Sequence, residues 1–172
     1  MKGWSLLLGF VAGLLVLPLG LLLLAESGLL SFDAVSRPPG WEVSVAHHAL
    51  HTSLVTRAKG LRNPLAERGS APLFAGMKLF RDNCAGCHGG AHADSRWGAQ
   101  NFYPRVPQFW REEHEHIMTP EETYIAILDG IRYSGMGACK GMLTDEQIWQ
   151  LANFVSGIHD LPPDVQHAWK AK

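Results

Sequence analysis

From Leu6 to Leu24 the sequence has no charged residue, and leucine is its commonest type. The uncharged stretch runs from Gly3 to Ala25, 23 positions in all. As a helix rising about 1.5 Å per residue it reaches roughly 34 Å, enough to cross a bilayer core of about 30 Å. Pro18 lies inside it, and a membrane helix tolerates the kink because neighbouring groups re-satisfy the backbone. Lys2 and the amino terminus precede the run and Glu26 follows it. That asymmetry puts the amino end in the cytoplasm and the rest of the chain outside. The competing reading is a cleaved signal peptide, whose apolar core is about 7 to 15 residues long with small residues at −3 and −1 of the cut. This run is longer, and Leu23-Leu24-Ala25 offers no small residue at −3. Residues 1–25 are therefore read as a retained transmembrane anchor.

What remains of the 172 residues suffices for one small domain, which a bound cofactor would help to stabilise. A formal net charge of −1 argues against a nucleic-acid binder. Three cysteines cannot form a disulfide framework without leaving one over, and two of them stand in Cys84-Ala85-Gly86-Cys87-His88. This is the c-type haem attachment signature. Two thiols three positions apart on a tight turn can add to the two vinyl groups of one haem. The histidine next to the second thiol then lies under the iron. A zinc site would need a second pair of ligands, and a thioredoxin-like redox pair would need a βαβ setting; neither is visible. The chain is thus expected to carry one covalent haem c on Cys84 and Cys87, with His88 as an iron ligand.

The sixth ligand must come from elsewhere. Ser134-Gly135-Met136-Gly137 places a methionine in a Gly-flanked loop, 48 residues after His88. A thioether is a neutral soft ligand, and His/Met ligation raises the potential relative to bis-His. Of the other methionines, Met1 is the start, Met77 falls on a helix face, Met118 adjoins a helix cap, and Met142 lies two residues before Thr144. Met136 is the expected ligand; Met142, His92, His114 and His116 are the competitors.

The periodicity is helical throughout. Pro72 suits a first helical position, with Leu73, Met77 and Phe80 on one face up to about Asn83. Thr119-Pro120-Glu121-Glu122 and Thr144-Asp145-Glu146-Gln147 are capping boxes. The first opens a helix ending at Gly130. Ile148, Leu151, Ala152 and Val155 continue the second until Gly157 and Pro162-Pro163. Residues 26–69 read as a linker with a short amphipathic helix carrying Val43, Ala46, Leu50 and Leu54. Within it His47 and His51 stand four apart without an evident third metal ligand. Treated as flexible, these 44 residues reach about 35 to 40 Å r.m.s.. A haem domain over 70–160, with a long loop from about Gly89 to Met118, and a tail over 161–172 complete an all-α layout.

Residues of about 70 to 160 resemble class I mono-haem cytochrome c domains, which wrap three to five helices around one covalent haem. Gly76 and Phe80 precede Cys84 at four-residue steps, like the first helix of that family. Leu151 and Phe154 look like its last-helix partners, which cross the first helix closely at the glycine. Gly135-Met136 resembles the ligand loop, and the segment from Leu143 to Trp149 resembles the start of the final helix. The resemblance implies that a loop proline carbonyl accepts the other N–H of the axial histidine. Pro107-Gln108-Phe109 fits that pattern best, with Pro104 as the alternative. Two departures stand out: Gly137 replaces the usual proline after the methionine, and Cys139 stands near an aromatic position. Cys139 reads first as a packing residue and second as a thiolate ligand or redox sensor.

The leading functional expectation is a one-electron carrier tethered to the outer face of the cytoplasmic membrane, working between redox protein partners and not itself an enzyme. The alternatives are a haem c subunit of a larger membrane oxidoreductase and, third, a haem-based sensor or peroxidase with an open iron site. Arg105, Trp97, Trp110 and Tyr103 are candidate contacts to the haem propionates or edge. From Ser70 to Asp160 there are seven Lys/Arg against eleven Asp/Glu. Glu112, Glu113, Glu115, Glu121, Glu122 and Asp129 form a candidate acidic docking patch for a basic partner.

Overall fold

The structure, a computed structural model, describes residues 2–111 and 118–171. Among them every regular element is a helix: α1 (Lys2–Glu26), α2 (Gly40–Ala58), α3 (Ala71–Asn83), α4 (Ala85–His88), α5 (Gly98–Asn101), α6 (Pro120–Asp129), α7 (Asp145–Ser156) and α8 (Pro163–Lys170). The chain divides into two compact units, one up to Ser36 and one from Arg37 onward.

The first unit is α1 and the turn after it. The stretch Leu6–Glu26 is long and apolar enough to cross a membrane, with a mean hydropathy of 2.7, and none of it is buried within the protein. Pro18 is accommodated inside the helix. Beyond Gly28, at φ +70°, Asp33 gathers the backbone N–H groups of Val35 at 2.9 Å and Ser36 at 2.6 Å into a tight turn.

The second unit is built on the crossing of α3 and α7. Gly76 lies at the contact, where a Cβ would stand 2.1 Å from the carbonyl oxygen of Gln150 and 2.9 Å from Cβ of Phe154. The helices touch backbone to backbone, so their separation is set by a missing side chain. Phe80, one turn on, is 1% exposed and is surrounded by the rings of Phe154, Trp169 and Phe109 at 5.7, 5.6 and 6.0 Å between centroids. Gly76→Ala should therefore force the helices apart. The expected cost is about 3 kcal/mol, as for severe overpacking. For a domain of this size that lowers the thermal midpoint by roughly 12–24 °C, measurable by following ellipticity on heating.

Both capping boxes form. Thr119 Oγ1 accepts from the Glu122 N–H at 3.2 Å and Thr144 Oγ1 from the Gln147 N–H at 3.3 Å, with the Glu122 and Gln147 side chains reciprocating. They start α6 and α7 at fixed points, and the two helices pack through Tyr124 stacked on Trp149 at 4.1 Å. The Tyr124 hydroxyl closes this contact by donating to Asp145.

Two segments depart from the sequence-based layout. Residues 54–65 pack against the helices that follow instead of serving as free linker. Leu54 and Leu65 are buried, Arg57 pairs with Asp129, and the Asn63 and Asn153 side-chain amides exchange hydrogen bonds of 2.5 and 3.2 Å. The connection between α1 and α2 is thus only 27–39, whose r.m.s. reach is about 20 Å instead of 35 to 40 Å. The expected tail also folds, as α8. Val165 and Trp169 are buried, and Arg81 donates to the carbonyls of Ala168 and Trp169 at 2.8 and 3.1 Å while its guanidinium lies 5.4 Å above the Trp169 ring. A cation on the open carbonyls of a helix end is favourable there.

Candidate haem site

The Cys-Ala-Gly-Cys-His turn grows directly out of α3. The N–H of Cys84 still bonds to Phe80 O at 2.8 Å, and those of Cys87 and His88 bond back to Cys84 O at 3.0 and 2.9 Å. The two thiols therefore issue three residues apart from a helical turn and share one side of it. Both are half-buried. His88 Nδ1 lies 2.9 Å from the Pro107 carbonyl oxygen, and the ring stacks on Phe109 at 4.8 Å and 12°. A carbonyl can only accept, so the imidazole proton sits on Nδ1 and the lone pair on Nε2, the atom a metal requires.

The Pro107 carbonyl is itself held in place. Gln108 is 5% exposed; its Oε1 accepts from the Ser95 N–H at 2.7 Å and its Nε2 donates to Cys87 O at 3.0 Å. One side chain thus joins the loop, the attachment turn and the residue after Pro107. Ser95 Oγ adds a bond to Gly86 O and accepts from the Gly98 N–H at 2.8 Å. Gly98 is required here, because a Cβ would stand 1.8 Å from Cys87 O. Sequence reasoning missed Gln108, Ser95 and Gly98.

Farther along the loop, Asp94 accepts from Trp110 Nε1 at 2.6 Å and Arg111 Nε at 3.0 Å. Trp110, one of the expected edge contacts, spends its N–H on this clasp. Arg105 donates to the carbonyls of Gln100 and Phe102. Trp97 is 61% exposed with its ring edge-on to Phe102, and Tyr103 precedes Pro104 in a cis peptide. The Trp110 and Arg111 hydrogen bonds hold the Asp94 carboxyl below the usual carboxylate range. A depressed carboxylate stabilises the fold above its unfolded pKa near 3.8, and the gain is lost as pH falls through the lower folded value. Asp94→Asn should therefore lower the thermal midpoint at pH 7 and bring it level with the wild type at strongly acid pH, as calorimetry across pH would record.

The Met136 loop folds back on the end of α6. The Cys139 and Lys140 N–H groups bond to Ile127 O and Leu128 O, each at 3.0 Å, and the Ile131 N–H bonds to Met136 O at 3.0 Å. Ser134 Oγ accepts from the Met136 N–H at 3.1 Å. Gly135 meets the Phe102 ring, 2.6 Å from where a Cβ would be, which ties this loop to the one carrying Pro107. Met136 is partly buried against the core, Met77 is buried in α3, and Met142 is 80% exposed. His92 Nε2 lies 3.0 Å from the Lys170 carbonyl oxygen. His114, His116, Glu112, Glu113 and Glu115 lie outside the described residues.

The Cys84 thiol is pushed up to about 12, first by burial and then by the nearby Cys139 and Cys87 thiols; burial also raises Cys139. Cys139 is half-buried and packs against the core. Among the described residues no three His, Cys, Asp or Glu side chains cluster around a metal position. His47 and His51 stand exposed on α2.

An α3–α7 crossing at a glycine, an attachment turn at the end of α3 and a histidine bonded to a loop carbonyl define a c-type cytochrome domain, behind an N-terminal helix fit to cross a membrane. The cofactor of such a domain is covalently bound haem c, and the donor set here suits it: two thiols, an imidazole with its lone pair on Nε2, and a thioether in a braced loop. Residues 71–155 match the family model of cytochrome c oxidase, cbb3-type, subunit III. The chain is 32% identical over 96 residues to the cbb3-type cytochrome c oxidase subunit FixP of Sinorhizobium medicae. That match takes in 51% of this chain and 30% of the relative, so the chain spans under a third of that protein's length. No solved structure matches the chain.

Proposed function

We propose that this protein is a membrane-tethered electron-transfer subunit, passing single electrons through one haem c within a larger membrane oxidoreductase. In this reading Cys84 and Cys87 bind the haem, His88 and Met136 are its axial ligands, and the chain itself performs no substrate chemistry. The observation that carries it is the 2.9 Å contact of His88 Nδ1 with the Pro107 carbonyl, which directs Nε2 to a metal. When bound, the haem supplies a one-electron iron couple. The protein's part is to hold its surroundings still. Pro107 fixes the histidine tautomer and ring plane, and Gln108 fixes Pro107. Phe102 against Gly135 braces the methionine loop. Rigid ligands keep rearrangement small when the iron changes charge.

Two facts favour a subunit over a free tethered carrier. The FixP relative is by its name an oxidase subunit, and the connection at 27–39 is short. The charge asymmetry about α1, with Lys2 before and Glu26 after, supports a haem domain on the outer, periplasmic face of the cytoplasmic membrane. Extraction from membranes in mild detergent should recover the protein with catalytic subunits of an oxidoreductase. Its ferric spectrum should be low-spin with a far-red methionine charge-transfer band. Isolation alone would favour the free carrier, and a high-spin spectrum would favour a sensor or peroxidase.

A further inference from the structure

The loop after the attachment turn and the loop carrying Met136 meet at Phe102. Its ring lies against Gly135, 2.6 Å from where a Cβ would stand, and the Trp97 ring sits edge-on to it at 5.7 Å between centroids. Segments 95–110 and 130–142 are joined there. Their charged residues are Arg96, Arg105, Arg132 and Lys140, with no Asp or Glu in either segment. All four cations are exposed, and Arg105 is turned onto the carbonyls of Gln100 and Phe102. Asp94, just before the first segment, is clasped by Trp110 and Arg111.

Each segment also exposes an aromatic residue next to an arginine: Trp97 beside Arg96 is 61% exposed, and Tyr133 beside Arg132 is 91% exposed. Tyr133 is the third residue of a turn closed by the Ser134 N–H on Ile131 O at 3.2 Å, and its φ is +60°. That position suits glycine or asparagine, and a bulky side chain is strained there. Among the described residues no other side-chain-bearing residue has a positive φ. The strain secures no packing within the chain, because the ring stands in solvent. Such strain clusters where a side chain serves a function beyond the fold. The acids of α6, by contrast, are engaged within the chain. Glu121 accepts from the Asn63 N–H at 3.3 Å, Glu122 closes its capping box, and Asp129 pairs with Arg57.

We infer that the face carrying Arg96, Trp97, Arg132 and Tyr133 docks an electron-transfer protein through an acidic surface of that protein. Charge complementarity selects the acid, since these two segments carry positive charge alone. Arginine, tryptophan and tyrosine are the side chains that carry most binding energy at protein interfaces. Position selects a redox protein: Tyr133 stands three residues before Met136, and the inference rests on the reading of Met136 as an iron ligand. A single electron crosses this face; one centre loses it and the other gains it, and no bond is formed or broken. The cations steer the encounter and the two rings hold the docked pair.

The test uses the full haem-loaded chain, reduced, in a neutral detergent. It is mixed in stopped flow with an oxidised acidic blue-copper protein and, separately, with an oxidised basic c-type cytochrome, at rising sodium chloride. The wild type should react faster with the acidic protein at low salt, and that rate should fall as salt rises. Arg96→Glu with Arg132→Glu should lower it about tenfold at low salt and raise the rate with the basic protein. Tyr133→Gly relieves the backbone strain, so its thermal midpoint should not fall, while the rate with the acidic protein drops several-fold and keeps its salt dependence. A wild-type rate with the acidic protein that rises with salt would overturn the proposal. Rates unmoved by these variants, in a protein that keeps its far-red methionine band, would overturn the docking face alone; the same result without that band would overturn the ligand reading as well. Should the arginine variant leave both rates unchanged and alter only binding to phosphatidylglycerol vesicles, the face meets lipid and the assignment to a protein is wrong.

Discussion

Serine at both Cys84 and Cys87 should abolish covalent haem entirely: denaturing gels of the double variant, stained for haem peroxidase activity, are expected to be blank. Each single substitution should leave a one-thioether product or a poorly matured one. The reason is the geometry of the turn. The backbone bonds from Cys87 and His88 to Cys84 O set the spacing of the two sulphurs, and a hydroxyl in the same place cannot add to a vinyl group to form a stable thioether. The loss should extend to stability. A ligand that binds only the folded state stabilises it by mass action, and a covalent one cannot dissociate. The double variant should therefore melt well below the wild type, with protease sensitivity rising in the loop from Gly89 onward. A double variant retaining covalent haem would refute the assignment.

The proposed attachment turn could be read in the sequence because its chemistry demands contiguous residues. The two capping boxes were legible for a similar reason, each being complete within four positions. Gly76 could be placed at a helix crossing by its resemblance to a known first helix, and the structure brings it against Gln150 and Phe154. What stayed hidden depends on partners far along the chain. Gln108 reaches Cys87 across 21 positions and Ser95 across 13, and no local pattern marks a loop glutamine as buried. Gly98 resembles any loop glycine until the Cys87 carbonyl is seen beside it. In α8, Pro162-Pro163 reads as a terminator, although proline at a first turn also starts a helix. Two turns are too few for periodicity to show, and Trp169 finds its place only through Phe80, Phe154 and Arg81. Leu54 and Arg57 likewise had no visible partner until α6 presented Asp129.

Met136→Ala is expected to change the iron more than any other single substitution outside the attachment turn. The side chain is partly buried, in a loop whose backbone is fixed by bonds to Ile131 and Ser134 and by the ring of Phe102 against Gly135. Removing the thioether should leave that loop in place while opening one coordination position. The ferric far-red band should disappear, and the spectrum should become high-spin and respond to added cyanide or imidazole. The potential should fall by a substantial part of the roughly 0.8 V that axial ligation spans, because a neutral soft sulphur favours the reduced iron and water does not. Met142→Leu serves as the comparison, since Met142 is 80% exposed and should leave spectrum and potential unchanged. Gly137 adds a second expectation. It stands where related domains carry proline, and nothing lies within 4 Å of where its Cβ would be. Gly137→Pro should therefore stiffen the loop and slow the displacement of Met136 by imidazole, read as a smaller rate in stopped flow. If Met142→Leu opens the iron and Met136→Ala does not, the ligand lies on the solvent side of this loop, and the hydrogen bonds around Ser134 serve only to shape it.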